Sequence, residues 1–170
     1  QGRIGHADHD QAVSLVEVNA ETDFVVKNSR FQEFVEVLAQ QAAQTQPASL
    51  ESFLKQPYAK DTSLTVDEYR ATLVQTIGEN IQIRRVAVFK KSPDRSIGVY
   101  SHMGGQLVTL VQLAGSNREE ALAREIAMHA AAAAPDYLTP AQVPAEVIER
   151  EKEIVRDQIK GKPAQIVDKI

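Results

Sequence analysis

The sequence predicts an α+β fold made of two tandem, similar subdomains. Each is an antiparallel hairpin or three-stranded sheet packed against helices, the second incomplete at its C-terminal end. Three observations predict this. Short segments of alternating apolar and polar residues come in pairs separated by turn residues, which is the pattern of β-hairpins. Each pair is followed by an apolar stripe of helical period. The first hairpin also recurs: Ile4-Gly5 followed by His9 returns as Ile97-Gly98 followed by His102, at identical spacing. Val13-Ser14-Leu15-Val16-Glu17-Val18 likewise returns as Val108-Thr109-Leu110-Val111-Gln112-Leu113, after a turn two residues longer that holds Gly104-Gly105. A period of about 93 residues is too long for a solenoid and implies two related subdomains, 1–92 and 93–170.

The elements follow in order. The opening segment around Arg3-Ile4-Gly5 is a strand, and the run through Val16-Glu17-Val18 is its hairpin partner. A helix over 29–44 places Phe31, Phe34, Val35, Leu38 and Ala42 on one face. Residues 46–63 are polar, contain proline and read as a connection. A helix over 66–77 ends at Gly78 as its C-terminal cap. Residues 81–90 alternate as Ile81, Ile83, Ala87 and Phe89, with Arg85 interrupting, and supply the third strand of the first sheet. Ser92-Pro93-Asp94 is the linker.

In the second subdomain a helix over 118–134 puts Leu122, Ile126, His129 and Ala133 on one face, with His129 a core histidine. Ser116 and Asn117 are its N-cap candidates, and Glu119-Glu120 sit where the helix dipole favours anions. The alanine run 130–134 fits close helix packing. Thr139-Pro140 serve as a cap and first turn. A helix over 145–160 carries Val147, Ile148, Ile154, Val155 and Ile159 on one face, Gly161 ends it, and Lys162-Pro163 open another. A two-stranded hairpin is marginal alone, so the matching third strand is expected beyond residue 170, in a longer protein of which this chain is a piece.

Composition narrows the function. With 170 residues and 43% apolar content the chain builds a true core, aliphatic and rich in alanine since Trp is absent. A net charge of −4 argues against binding nucleic acid by phosphate neutralisation. The basic pairs Arg84-Arg85 and Lys90-Lys91 read as solvated strand positions. With no cysteine, disulfide and thiolate-metal chemistry are excluded. No apolar run has the length of a membrane span, and no signal-peptide pattern is present.

The most informative stretch runs from Val16 to Asn28. It reads as a strand leaving the sheet into a polar turn that presents Asp23 and Phe24 side by side just before a helix. Such a place, where the chain changes direction, is where binding residues concentrate. Phe24 could instead be a hydrophobic staple, and Asp23 an N-cap or Asx-turn residue. Thr22 and Asn28 are read as shaping the loop. His6 and His9 tempt toward a metal, but residues three apart on a strand face opposite sides.

Several motifs then stand in order along almost the whole chain. They are Glu17-Val18-Asn19-Ala20-Glu21-Thr22-Asp23-Phe24-Val25 and Ile77-Gly78-Glu79-Asn80-Ile81-Gln82-Ile83-Arg84-Arg85. Next come Tyr100-Ser101-His102 ahead of the glycines, Ile126-Ala127-Met128-His129-Ala130-Ala131, and Gly161-Lys162-Pro163. Together they resemble elongation factor Ts, the family of guanine nucleotide exchange factors for the translational GTPase elongation factor Tu. Ala20 stands where the family often has Cys, Met103 precedes the glycines, and the family's N-terminal helical domain and C-terminal part fall outside the chain.

The resemblance implies that Phe24 inserts between helices of the GTPase near its magnesium site. Asp23 acts beside it, His102 presses on the helix after the phosphate loop, and Ile77 and Gly78 are further contacts. It implies a partner protein, elongation factor Tu, with no enzyme chemistry, no cofactor, no direct nucleic-acid contact and no membrane; oligomeric state is left open. Bacterial cytoplasm, mitochondrion and plastid are all compatible settings. Two rivals stand beside this reading. One is an interaction module that binds the GTPase without effective exchange, within a larger assembly or fused polyprotein. The other is an enzyme using a metal at His6 and His9.

Overall fold

The computed structural model describes residues 1–159. Two compact units divide the chain, Gln1–Ala133 and a second beginning at Ala134. In the first unit, β1 (Gly2–Asp8) and β2 (Ala12–Ala20) form a hairpin. A short helix α1 (Asp23–Lys27) leads into α2 (Ser29–Thr45). Then come α3 (Leu50–Leu54), β3 (Pro57–Tyr58), β4 (Asp61–Thr65), α4 (Val66–Ile77) and β5 (Ile81–Lys90). Strand β5 adds antiparallel to β2, giving the order β1-β2-β5. A second hairpin, β6 (Arg95–His102) and β7 (Leu107–Ala114), packs on α5 (Glu120–Ala133). This is the α+β architecture the alternation predicts, with antiparallel sheets against helices.

The two hairpins meet their helices by the same device. Gly5 faces α2 so closely that a Cβ there would come within 2.8 Å of the Val35 carbonyl oxygen. Gly98 lies still closer to α5, its missing side chain leaving room for the backbone at Ala123 and Arg124. Nearby, the Ser14 hydroxyl donates to the Ala39 carbonyl at 2.6 Å, and the Thr109 hydroxyl donates to the Ala127 carbonyl at 2.6 Å. Ser14 and Thr109 are equivalent in the repeat, as are Gly5 and Gly98. The duplication in sequence is thus a duplicated way of seating a helix on a hairpin.

Close seating explains one departure from expectation. On α5 the buried residues are the small Ala123 and Ala127, while Leu122 and Ile126 are partly exposed and His129 is exposed. His129 is therefore not a core histidine. A helix that rests its backbone on a glycine must turn its smallest residues inward, whereas the apolar period alone points to the larger ones. The cap also comes from elsewhere: the Ser96 hydroxyl of β6 accepts from the Glu119 amide at 2.8 Å, while Ser116 accepts from Arg118.

Strand β5 departs in another way. Glu17 pairs with Arg85 and Val18 with Ile83, so Arg84 is an extra residue, a β-bulge. Ile81 and Ile83 face the core before it; after it Val86 and Val88 take that side, and Ala87 and Phe89 swing to the other face. The bulge brings both arginines to one carboxylate, Arg85 Nε at 2.6 Å from Glu17 and Arg84 Nε at 3.8 Å.

The stretch 46–63 is also more than a connection. Ser49 caps α3 reciprocally with Ser52, and the helix drives Phe53 fully into the core. Tyr58 is buried with its ring stacked 3.9 Å from Tyr69 and 5.9 Å from Phe34. Burial pushes the Tyr58 hydroxyl far above its ordinary range. The main core lies between α2 and the first sheet, where Phe31, Phe34, Val35 and Leu38 meet Val16, Val18 and Ile81.

In the second unit Pro140 opens a 3-10 turn, Pro140–Gln142, and α6 runs Ala145–Ile159. Val147, Val155 and Ile159 of α6 are half-buried, Ile148 and Ile154 more exposed. The expected Gly161 and Lys162-Pro163 features lie outside the described residues. No helix among the described residues is long and apolar enough to cross a membrane.

The glycine seat is testable. Gly98→Ala should destabilise the protein by about 1–3 kcal/mol, the usual cost of overpacking, and lower the thermal midpoint followed by circular dichroism. An unchanged midpoint would mean that α5 does not rest on Gly98.

Candidate functional surface

The surface begins where β2 leaves the sheet. The last rung pairs Ala20 with Ile81. Glu21 is exposed, and Thr22 then turns the chain into α1 as its N-cap, with extended backbone (φ −120°, ψ 159°) and its hydroxyl 3.4 Å from the Val25 amide. A helix of five residues is far below the length that holds itself in water, so it depends on what it touches. Val25 is buried and Val26 packs against the core. Asn28 closes α1 by donating to the Val25 carbonyl at 2.9 Å and caps α2 by accepting from the Arg30 amide at 2.9 Å.

With Val25 turned inward, helical geometry turns its neighbours out. Phe24 is 80% exposed, the most exposed of the phenylalanines. It sits two places after the cap, whereas a staple residue would precede the cap. Asp23 is not the cap either; that position belongs to Thr22. Instead Lys27 Nζ donates to Asp23 Oδ2 from 2.8 Å, one helical turn on. This partner holds the Asp23 carboxyl below the usual carboxylate range. Both groups are open to water, so the pair shapes local charge and adds little stability.

Glu79 ties this turn to the next signature. Its carboxylate accepts from the Thr22 amide at 3.1 Å and from the Thr22 hydroxyl at 2.8 and 3.0 Å. Ile77 is half-buried at the end of α4, and Gly78 follows in the left-handed conformation (φ 84°). Nothing lies within 4 Å of where a Gly78 Cβ would be, so the surface beside it is open. The structure therefore brings Asp23-Phe24 and Ile77-Gly78 to the same end of the first sheet. The Glu79 link joins residues 57 apart in sequence, which no local pattern reveals.

His102 comes from the tip of the second hairpin and is exposed, its Nδ1 3.1 Å from the Tyr100 hydroxyl. Met103, Gly104 and Gly105 all take positive φ (49°, 65° and 91°). That turn is fastened to the first sheet, because the Gly105 carbonyl accepts from the Ile4 amide at 2.7 Å. Ile4 pairs with Glu17, three residues before Ala20, or about 10 Å of strand. The histidine turn is thus anchored toward the sheet end from which Phe24 projects.

No group of three or more His, Cys, Asp or Glu among the described residues could hold a metal ion. His6 is exposed on the face opposite Gly5. His9 lies in the hairpin turn, with its Nδ1 buried and without a hydrogen-bond partner. The surface offers an aromatic ring, a carboxylate and open backbone, which suits docking to a protein.

Comparison with known proteins agrees with the motifs. The family model described as elongation factor TS matches residues 21–170. The elongation factor Ts of Protochlamydia amoebophila is 61% identical over all 170 residues. Those of Chlamydia felis and Chlamydia pneumoniae are 41% and 43% identical over the same length. The chain spans about 60% of the length of each of these relatives. On its motifs, its duplicated hairpin-and-helix core and these matches, the chain belongs to the elongation factor Ts family.

Proposed function

We propose that this chain acts in translation elongation by promoting release of GDP from elongation factor Tu, in a bacterial cytoplasm like that of its bacterial relatives. The observation that carries the reading is the Phe24 ring, 80% exposed at the head of a helical turn fixed from three sides. Exchange breaks no covalent bond, so the surface needs no nucleophile and no general base. It needs groups that deform a phosphate-binding loop or disturb the water shell of its magnesium. Phe24 is the wedge, entering between helices of the GTPase near that metal. Asp23 acts beside it on the groups that hold the metal. Ile77, Gly78 and His102 extend the contact.

Magnitudes show why the contact must be broad. Burying one phenylalanine ring yields roughly 1.5–3 kcal/mol. Moving a two-state equilibrium from 1:99 to 99:1 takes about 5.5 kcal/mol. The wedge supplies part of the work, and the Ile77-Gly78 turn and the His102 hairpin supply more. Coupling is reciprocal: GDP must weaken binding of this chain by the factor by which the chain weakens GDP binding.

Release of a fluorescent GDP analogue from elongation factor Tu tests this directly. Phe24→Ala should slow stimulated release by about tenfold or more while the circular dichroism spectrum is unchanged. Unaltered release would end the wedge assignment, and a stable complex with no stimulation by the wild-type chain would make it an interaction module instead.

Asp23→Ala should cause a smaller loss whose size varies with magnesium concentration; a loss independent of magnesium would remove Asp23 from the neighbourhood of the metal. The Asp23–Lys27 pair is itself measurable. A carboxyl held below its unfolded value stabilises the fold above that value and loses this contribution as pH falls through the folded one, so the pair is intact at neutral pH and opens in acid. Lys27→Ala should return the Asp23 carboxyl toward the ordinary range in an NMR titration, and an unmoved titration would show that Lys27 does not hold it.

A further inference from the structure

We infer that Glu79 is the positioning residue of the exchange surface: it fixes the helical turn that carries Phe24 and joins that turn to Ile77-Gly78 as one unit. The inference rests on the exchange reading above. In the β2–β5 ladder the last rung is Ala20 with Ile81. Two residues onward along β2 stands Thr22, and two residues back from β5 stands Glu79. They are the second pair on in that register and the next on the same face, beyond the point where the backbones separate. The Glu79 side chain spans the gap and continues the ladder where main-chain pairing has stopped. Both of its oxygens are used, accepting from the Thr22 amide and hydroxyl.

The geometry gives this link more weight than an ordinary surface contact. Thr22 and Glu79 are both half-buried, and hydrogen bonds to an ionised carboxylate are about twice as strong as neutral ones. No Lys, Arg or His among the described residues forms an ion pair with Glu79, so its hydrogen bonds go to Thr22. Thr22 in turn is the cap of a helix too short to persist alone. Glu79 also follows Gly78 directly. The same few residues therefore set the direction of the Phe24 ring and the place of the Gly78 backbone, which is what a two-point contact on a rigid partner requires. Loosening the link leaves the fold's core intact and lets the ring wander.

The test measures the second-order rate of stimulated GDP release with the 170-residue chain, together with amide hydrogen exchange. Glu79→Gln and Thr22→Val should each lower that rate about tenfold, and Thr22→Ser, which keeps the hydroxyl, should recover most of it. In a Phe24→Ala background Glu79→Gln should cost less than about twofold, because the ring it positions is gone. Glu79→Gln should also speed exchange at the Thr22 and Val25 amides and leave those of α2 and β2 unchanged. A full tenfold loss persisting on the Phe24→Ala background, or an unchanged rate in Glu79→Gln, overturns the inference. Thr22→Val cuts the link from the other side and decides the matter if Glu79→Gln fails to fold. If Phe24→Ala slows release but Glu79→Gln and Thr22→Val do not, only the positioning role falls. If Phe24→Ala leaves release untouched, the exchange reading falls and this inference with it.

Discussion

Past the last rung of the first sheet, the Glu79 carboxylate bonded to Thr22 holds together what the backbone no longer can. Five residues do not make a stable helix in water, and a phenylalanine kept in solvent forgoes roughly 1.5–3 kcal/mol of available burial. Such an arrangement persists because its surroundings impose it: Val25 is drawn into the core, Asn28 serves two helices at once, and Glu79 reaches across from the turn after α4. The ring is left outside as a consequence of this packing. A residue displayed at that cost, on a support that well fixed, is suited to being buried by another protein.

The support is itself a product of duplication. Each hairpin receives its helix over a glycine, and each locks it with a hydroxyl on a helix carbonyl, Ser14 on Ala39 and Thr109 on Ala127. Both bonds place the helix by its backbone, so side chains elsewhere on it are free to differ. The two copies have diverged accordingly: α2 buries large aromatic rings, while α5 buries alanines. What stayed common is the seating; what diverged is the tip of the hairpin, tight in the first copy and extended by a glycine turn that carries His102 in the second. The Gly105 carbonyl on the Ile4 amide fastens that second tip to the first sheet.

Charge plays a local part here. Asp23 and Lys27 neutralise each other at exposed positions, and the exposed Arg84 and Arg85 share the half-buried carboxylate of Glu17. Such pairs add little to stability. The first pair limits the net field around the Phe24 ring, while the bulge keeps one positive charge in excess.

Much of this was legible in the residues themselves. Period-two and period-3.6 patterns are strong wherever one face is buried, so 81–90 and 66–77 could be bounded from sequence and α2 to within a residue, and the Ile-Gly repeat gave the duplication. The exposed Asp23-Phe24 pair could be singled out because a ring beside an acid at a change of direction breaks those patterns. Other features needed the fold. The bulge at Arg84 reverses which residues of β5 face inward, and only the partner strand reveals the offset. The inward face of α5 depends on a glycine more than twenty residues earlier, which is why His129 faces solvent although the apolar period places it inward. Phe53 and Tyr58 sit in a stretch too short and too polar for periodicity to register. The role of Glu79 rests on a contact with Thr22 far along the chain, and hydrogen bonds between distant residues leave no local signature. Sequence by itself determined the long elements and the ring to watch; tertiary structure decided the short elements between them, which faces turn inward and what holds the ring out, because those depend on distances that only chain closure creates.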